Sequence, residues 1–159
     1  MVVGFEPHDH VGCIADALAV AEKHCAAHRL QFTPVRRRVL EILLQEHVAL
    51  GAYDILERLR QEGLGSQPPV AYRALDFLLT NGFAHKVERL NAFVACAHPG
   101  QAHSPAFMIC RECDTVVETR STLNKGALGT MARTAGFRIE RTVIEAEGLC
   151  GACRDDAGA

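Results

Sequence analysis

Residues 68–96 read PPVAYRALDFLLTNGFAHKVERLNAFVAC, and the first half of this stretch has the pattern of one helix. Two prolines suit the first turn of a helix, and Asn81-Gly82 suits its end. At about 100° per residue, Arg73 falls on the side opposite the apolar residues. The apolar side consists of Ala71, Ala74, Leu75 and Leu78. The helix therefore buries one face and shows an arginine to whatever lies outside.

A hairpin follows this helix within the same stretch. Residues 83–87 and 92–96 are short runs of β-type residues, and residues 88–91 separate them. Helices followed by a hairpin are typical of a winged helix-turn-helix, whose last helix enters a DNA major groove. The stretch therefore predicts a recognition helix and a wing.

Three more helices are predicted upstream. The first covers roughly residues 11–28, and Thr33-Pro34 opens the second, since threonine caps free amides and proline suits the first turn. Arg37 points away from the buried face of this second helix. The third lies near residues 52–61 and stops at Gly63. The apolar stripe of the first helix is Val11, Ile14, Leu18, Ala21 and Cys25.

Beyond the wing the pattern changes to that of a small α+β unit. Residues 97–105 are rich in Pro, Gly and His and predict a linker. Short strands are predicted at 107–110 and 115–119, a helix at 121–135 capped by Ser121, and an alternating strand at 137–145. The whole chain is therefore expected to be α+β, and its C-terminal unit is small enough to need a staple.

Composition limits the functions that the chain can have. No apolar run approaches the roughly 18 residues of a membrane span, and the first residues lack the pattern of a signal peptide. We therefore expect a cytoplasmic protein without a membrane partner, where disulfides rarely persist. Seven cysteines then indicate metal ligands and a few buried thiols. A net charge of −2 argues against nonspecific coating of nucleic acid but is compatible with a local basic face.

Two Cys-x-x-Cys pairs, Cys110/Cys113 and Cys150/Cys153, predict a structural zinc site. Four thiolates in two closely spaced pairs can surround one tetrahedral Zn²⁺. The alternative is two unrelated buried or redox pairs. A redox pair normally follows a strand and opens a helix in a βαβ unit, and neither pair has that setting.

A second set of candidate ligands surrounds the first cysteine pair. One thiol, two imidazoles and one carboxylate make a plausible zinc set: His85, Cys96, His103 and Glu118. Such a site would join the DNA-reading part to the C-terminal part, so its occupancy would fix their relative angle. Each residue also has an ordinary interpretation: a small core thiol, two surface histidines and a solvated acid.

The stretch at 68–96, followed by HPGQAHSPAFMICREC at 98–113, resembles the ferric uptake regulator family, most of all its zinc uptake regulator branch. The likeness runs from about Thr33 to Cys153. It implies a winged-helix DNA-binding domain over 1–96, a hinge over 97–105, and a dimerisation and metal-binding domain over 106–159.

The resemblance also implies two zinc ions per chain with different roles. The four-cysteine site would be structural, whereas His85, Cys96, His103 and Glu118 would form the regulatory site. The function implied is a repressor that shuts zinc-uptake genes when zinc is bound. Iron-sensing relatives have a denser histidine motif where this chain has Ala102-His103-Ser104, and a thiolate favours zinc over iron or manganese. A relative that senses iron, manganese, nickel or peroxide is the alternative.

Five residues are the candidates for DNA contact. Arg73 is expected to read a guanine through two donors, with Tyr72 beside it on phosphate or sugar. The resemblance adds Tyr53, and Arg36 and Arg37 would position the DNA backbone. The alternative makes the tyrosines half-buried core rings and the arginines a solvated face. One module binds weakly, so a homodimer on a palindromic double-stranded operator is implied.

The remaining candidates are weaker. His8, His10 and Cys13 could form another metal site, and His24 and His28 share a helix face; we interpret both sets, and His47, as ordinary surface or helix residues. A zinc or thiol enzyme is the alternative from another class. No zinc-protease, deaminase, phosphate-loop or nucleophile-elbow motif occurs, and both proposed sites have four ligands, so we expect no enzyme.

Overall fold

The computed structural model describes residues 10–122 and 126–156. Four helices come first: α1 (His10–Ala27), α2 (Pro34–Gln45), α3 (Ala52–Gln61) and α4 (Pro68–Thr80). The side chain of Thr33 accepts the backbone N–H of Arg36 at 3.3 Å, so the predicted cap of α2 is present. None of the helices in these ranges is both long and apolar enough to cross a membrane.

The helices bury one apolar core between them. Every predicted core position of α4 is at most 2% exposed. Leu18, Ala21 and Cys25 of α1 are buried there as well, whereas Val11 at its first turn is 79% exposed. The predicted stripe on α1 is therefore wrong at Val11, which faces solvent at the first turn of the helix.

The wing consists of β1 (Ala84–Val87) and β2 (Ala92–Ala95), which pair antiparallel. Alternation in a strand sends successive side chains to opposite faces. Ala84 and Phe93 therefore face the helical core, whereas Val87 and Val94 belong to a second apolar cluster. Both faces of the wing are thus covered.

The C-terminal part contains β3 (Pro105–Cys110), β4 (Val116–Arg120), α5 (Ala127–Thr134), β5 (Ile144–Gly148) and α6 (Gly151–Asp156). The strand order is β4-β3-β5, with β4 antiparallel and β5 parallel to β3. Sheet and wing pack on each other through the second cluster, which combines Val87 and Val94 with Phe107, Ile109 and Val116. The α+β class and the winged-helix arrangement are as predicted.

Two predicted C-terminal elements are displaced. The helix begins at Ala127 after Gly126 rather than at Ser121, whose N–H instead bonds to the carbonyl of Ser104 at 2.9 Å and continues the sheet edge. Part of the predicted helix, residues 123–125, lies outside the described residues. The alternating run at 137–145 is mostly not a strand, since the chain pairs with β3 only from Ile144 onward.

Candidate metal centres and nucleic-acid interface

The four cysteines of the two pairs converge at one end of the C-terminal sheet. Cys110 ends β3, Cys113 lies in the following turn, and Cys150 and Cys153 flank and enter α6. The parallel register places Cys110 beside Gly148, so the second pair follows directly at the same end of the sheet. The four sulfur atoms all lie within 4.8 Å of one another.

Hydrogen bonds in the cysteine cluster favour the thiolate form. The backbone N–H of Cys150 donates to Sγ of Cys110 at 3.3 Å, and with further backbone donors it lowers the pKa of Cys110 to about 6. Thr115, whose hydroxyl lies 3.2 Å from Sγ of Cys113, lowers the pKa of Cys113. Cys153 is the exception: a hydrogen bond between its thiol and Cys150, together with burial, raises the pKa of Cys153. A bound divalent cation would favour the thiolate form of all four cysteines.

The second cluster gathers one side chain from each of four places. His85 comes from β1, Cys96 from the end of the wing, His103 from the connection to β3, and Glu118 from β4. Their ligand atoms also lie within 4.8 Å of one another. Nε2 of His103 is 2.6 Å from Oε1 of Glu118 and 3.6 Å from Sγ of Cys96. We call these four residues the regulatory cluster.

Backbone groups orient this cluster. Nδ1 of His103 lies 2.6 Å from the carbonyl oxygen of Gln101, which can only accept, so Nδ1 carries the proton and Nε2 faces the other ligands. The N–H of Ala97 donates to the second oxygen of Glu118 at 2.7 Å. The N–H of His98 donates to Sγ of Cys96 at 3.4 Å. Sequence patterns missed these contacts, since backbone groups carry no residue-type signal.

Burial and charge set the protonation of two members. Burial raises the pKa of Cys96 to about 12, and the nearby Glu118 carboxylate adds to the rise. Burial would also raise the pKa of Glu118, but the ring of His85 and the N–H of Ala97 outweigh it and lower that pKa. The cluster therefore holds a protonated thiol beside a carboxylate.

The donor set and most distances of the regulatory cluster fit a zinc ion. Bond lengths near 2.0–2.3 Å place the ligand atoms of a tetrahedral zinc about 3.3–3.8 Å apart. The separation of 3.6 Å between Cys96 and His103 falls in this range, whereas His103 and Glu118, 2.6 Å apart, would have to separate to admit the ion. Nε2 of His85 is buried and lies 3.3 Å from Oε1 of Glu118, with no well-formed hydrogen bond to any described residue. A buried imidazole nitrogen in this position, beside a carboxylate and a thiol, is what a soft-to-borderline cation would satisfy.

The predicted DNA-contact residues of α3 and α4 face solvent. Tyr53 is 68% exposed and Tyr72 is 44% exposed, and neither is the half-buried core ring of the alternative interpretation. Arg73 is also exposed, and its guanidinium forms no ion pair or hydrogen bond within the described ranges. The outer face of α4, with exposed Tyr72 and Arg73, is therefore available to a ligand.

Arg36 and Arg37 are already engaged within the protein. The guanidinium of Arg36 lies 3.9 Å from the centre of the Phe77 ring and donates to the carbonyl of Gln31. Arg37 pairs with Glu22 and with Glu41, the latter at 3.1 Å. Their predicted contact with the DNA backbone stays a prediction.

Among residues 10–122 and 126–156, only the two clusters above bring three or more candidate ligands together, so the weaker candidates do not form metal sites there. His8 lies outside the described residues, as does the side chain of His10, and Cys13 is exposed. The rings of His24 and His28 stack 4.1 Å apart. His47 is half-buried rather than a plain surface residue, and it lies in the connection after α2, where its carbonyl accepts the N–H of Val116 at 2.7 Å.

Fold and sites together define a winged-helix protein whose C-terminal sheet holds two metal-ligand clusters. No protein-family model matches the chain. The zinc uptake regulation protein of Escherichia coli (strain K12) is 42% identical over 139 residues, which is 87% of this chain and 81% of the relative. The chain belongs to the family of zinc uptake regulation proteins, as the resemblance implied.

Solved structures agree with this assignment. A zinc uptake regulator complexed with zinc and DNA is 40% identical, with a TM-score of 0.86 over 92% of this chain and 98% of that one. Holo XcZur has a TM-score of 0.79 over 88% of this chain and 98% of that one, whereas apo XcZur has 0.51 over 90% and 99%. Both XcZur structures are 38% identical to this chain, so its arrangement is the more similar to the holo form.

Proposed function

We propose that this protein is a zinc-responsive, DNA-binding transcriptional repressor of zinc-uptake genes that acts as a homodimer. The observation that carries the proposal is the convergence of His85, Cys96, His103 and Glu118 from the wing, the hinge and the C-terminal sheet. The relatives support it, since they are zinc uptake regulators and one of them was solved in complex with zinc and DNA.

The regulatory cluster can control the recognition helix because the two are close along the chain. α4 ends at Thr80, and β1, which carries His85, begins at Ala84. The N–H of Phe83 donates to the carbonyl of Leu78 at 2.8 Å, so this connection is tight. Zinc, when bound, supplies four ligand bonds that tie these elements together. Fixing β1 against the sheet therefore fixes the direction of α4.

The cysteine cluster is proposed as the structural site. It closes the end of a small three-stranded sheet, and zinc sites of this kind contribute on the order of 10–16 kcal/mol in small zinc modules. Cys110, Cys113, Cys150 and Cys153 would hold this zinc permanently. The two zinc ions thus have separate roles, one in folding and one in signalling.

DNA recognition is proposed for the exposed side of α4. Arg73 would donate to a guanine, with Tyr72 and Tyr53 beside it and Arg36 and Arg37 at the backbone. Three exposed apolar side chains, Leu128, Met131 and Phe137, lie on or just after α5. A second copy would cover this surface, and the resulting pair of recognition helices would match a palindromic operator.

We assign the protein no enzymatic activity and place it in the cytoplasm, where its operator is. Both clusters have four protein ligands, and a catalytic zinc site keeps one position open. We also propose the domain bounds given above, 1–96, 97–105 and 106–159.

Metal analysis of protein purified under mild conditions tests the assignment. We expect two zinc ions per chain, of which a mild chelator removes one and abolishes operator binding reversibly. Iron or manganese in the removable site, or operator binding that survives its loss, would refute zinc as the signal.

A further inference from the structure

The C-terminal sheet meets the wing through one face, which we call the docking face. In register on neighbouring strands, Phe107 pairs with Glu118 of β4 and with Glu145 of β5. Side chains in register share a face of the sheet. The docking face therefore has apolar residues on its central strand, one acid at the β4 edge, and Glu145 with Glu147 at the β5 edge.

The β4 edge of the docking face belongs to the regulatory cluster, and the β5 edge holds the turn of the wing. Glu145 accepts the backbone N–H groups of Glu88 and Arg89, at 2.6 and 2.9 Å. Glu147 receives two hydrogen bonds from the guanidinium of Arg89, at 2.6 and 3.0 Å. Arg141, in the segment before β5, pairs with Glu88.

These contacts are specific in geometry. A carboxylate that accepts two successive backbone N–H groups fixes the orientation of the turn, and a two-point arginine–carboxylate pair adds direction. The hydrogen bond from Arg89 lowers the pKa of Glu147, and that from Arg141 lowers the pKa of Glu88. Both carboxylates therefore stay charged at physiological pH.

We propose that Glu145 and Glu147 are positioning residues for operator binding, which hold the wing turn on the docking face at the edge opposite the regulatory cluster. The proposal rests on the function proposed above. Two attachments, one at each edge, prevent the wing from pivoting about the apolar centre of Val87, Val94 and Phe107. Zinc binding then has to contribute less free energy to reach the DNA-binding arrangement, because the contacts of Glu145 and Glu147 already favour it.

Removal of the Glu145 carboxylate should make the protein less sensitive to zinc. For Glu145→Ala we expect the free zinc concentration at half-maximal operator binding to rise about five- to tenfold, with zinc content unchanged. Glu140→Ala is the matched control, because it removes the same charge from an exposed pair with Arg138. We expect a change of less than about twofold there. An unchanged zinc response in Glu145→Ala would overturn the proposal.

A charge exchange separates this role from direct DNA contact by Arg89. Arg89→Glu and Glu147→Arg should each weaken the zinc response, and the double variant should restore most of it, since the pair is reversed but kept. If Arg89 instead contacts a phosphate of the operator, the double variant should respond to zinc as weakly as Arg89→Glu alone. That outcome would overturn the assignment of Glu147.

Amide hydrogen exchange tests the clamp without DNA. In the zinc-loaded dimer, the N–H groups of Glu88 and Arg89 should exchange slowly in the wild type and at least about tenfold faster in Glu145→Ala. Equal exchange in the two proteins would overturn the clamp. If instead the wild type fails to bind its operator but the exchange difference appears, the repressor function fails while the clamp stands.

Discussion

Phe107 and Glu118 are register partners on β3 and β4, so a core ring and a candidate metal ligand lie side by side on the docking face. Phe107 is 3% exposed and packs against the valines of the wing. The carboxylate next to it meets His85, which comes from the same wing. The apolar contact between the two parts and the metal-dependent contact are therefore one continuous interface, and a change in one is felt by the other.

Loss of a regulatory ligand should remove the response to zinc but leave the fold. For Cys96→Ser or His103→Ala we expect no zinc-dependent operator binding in a gel-shift or anisotropy titration, since a three-ligand site binds zinc much more weakly. The structural zinc and the dimer should persist.

Cys13→Ser is the matched control for the thiol, because Cys13 is exposed and belongs to neither cluster. Operator binding by this variant should depend on the zinc concentration as it does in the wild type. Full zinc-dependent affinity in both ligand variants would refute the regulatory assignment.

Loss of a structural ligand should instead unfold the C-terminal sheet. In Cys113→Ser we expect rapid amide exchange across β3 and β5 and loss of the dimer in sedimentation, because the staple contributes on the order of 10 kcal/mol. The helices α2–α4 provide an internal control, since their core is separate from the cysteine cluster. If Cys113→Ser stays dimeric and its strands remain protected from exchange, the structural zinc is not required for folding.

Zinc binding to the regulatory cluster should release protons. The pKa of Cys96 near 12 means that the thiol is protonated at neutral pH, whereas a zinc ligand is a thiolate. The affinity of the regulatory cluster for zinc should therefore rise with pH, by about tenfold per pH unit between pH 7.5 and 9. Calorimetry in buffers of different ionisation enthalpy measures the released protons.

Cys96→Ser provides the comparison for this pH dependence. The zinc affinity of the variant should change less with pH, since the raised pKa of the Cys96 thiol causes the pH dependence. A wild-type affinity that is independent of pH across that range would contradict the protonated thiol.

Arg73 should govern specificity rather than general attraction to DNA. Arg73→Ala is expected to weaken operator binding by about ten- to a hundredfold, in line with the ~1–3 kcal/mol of a two-point guanine contact. Binding to unrelated DNA should change far less. Arg138→Ala, which removes an exposed arginine paired with Glu140, is the control.

Arg37→Ala should cost less than Arg73→Ala, because Arg37 is paired with Glu22 and Glu41. An equal loss on operator and unrelated DNA in Arg73→Ala would show that the residue contacts only phosphate.

The elements that the sequence predicted well depend on local pattern. α4 and the wing follow from residues adjacent along the chain, whose apolar spacing and turn residues fix both structure and face. The cysteine pairs have a spacing that few structures other than a metal site require. The two clusters thus came together where the sequence indicated, and their use as zinc sites stays a proposal.

What the sequence did not reveal depends on distant pairing. β5 pairs with β3 across the whole segment between residues 110 and 144, and alternation in 137–145 does not reveal where that pairing starts. Glu145 and Glu147 look like solvated acids until the wing turn is placed over them. The start of α1 shows the same effect in reverse, since Val11 continues the apolar spacing of the helix and yet is 79% exposed.

A titration of operator binding against buffered free zinc, with iron and manganese in parallel, tests the central claim most directly. We predict that the dimer binds its operator steeply as zinc fills the regulatory cluster, and that neither other metal replaces zinc at its physiological free concentration. Operator affinity that is the same with and without zinc, or that follows iron or manganese instead, would contradict the account.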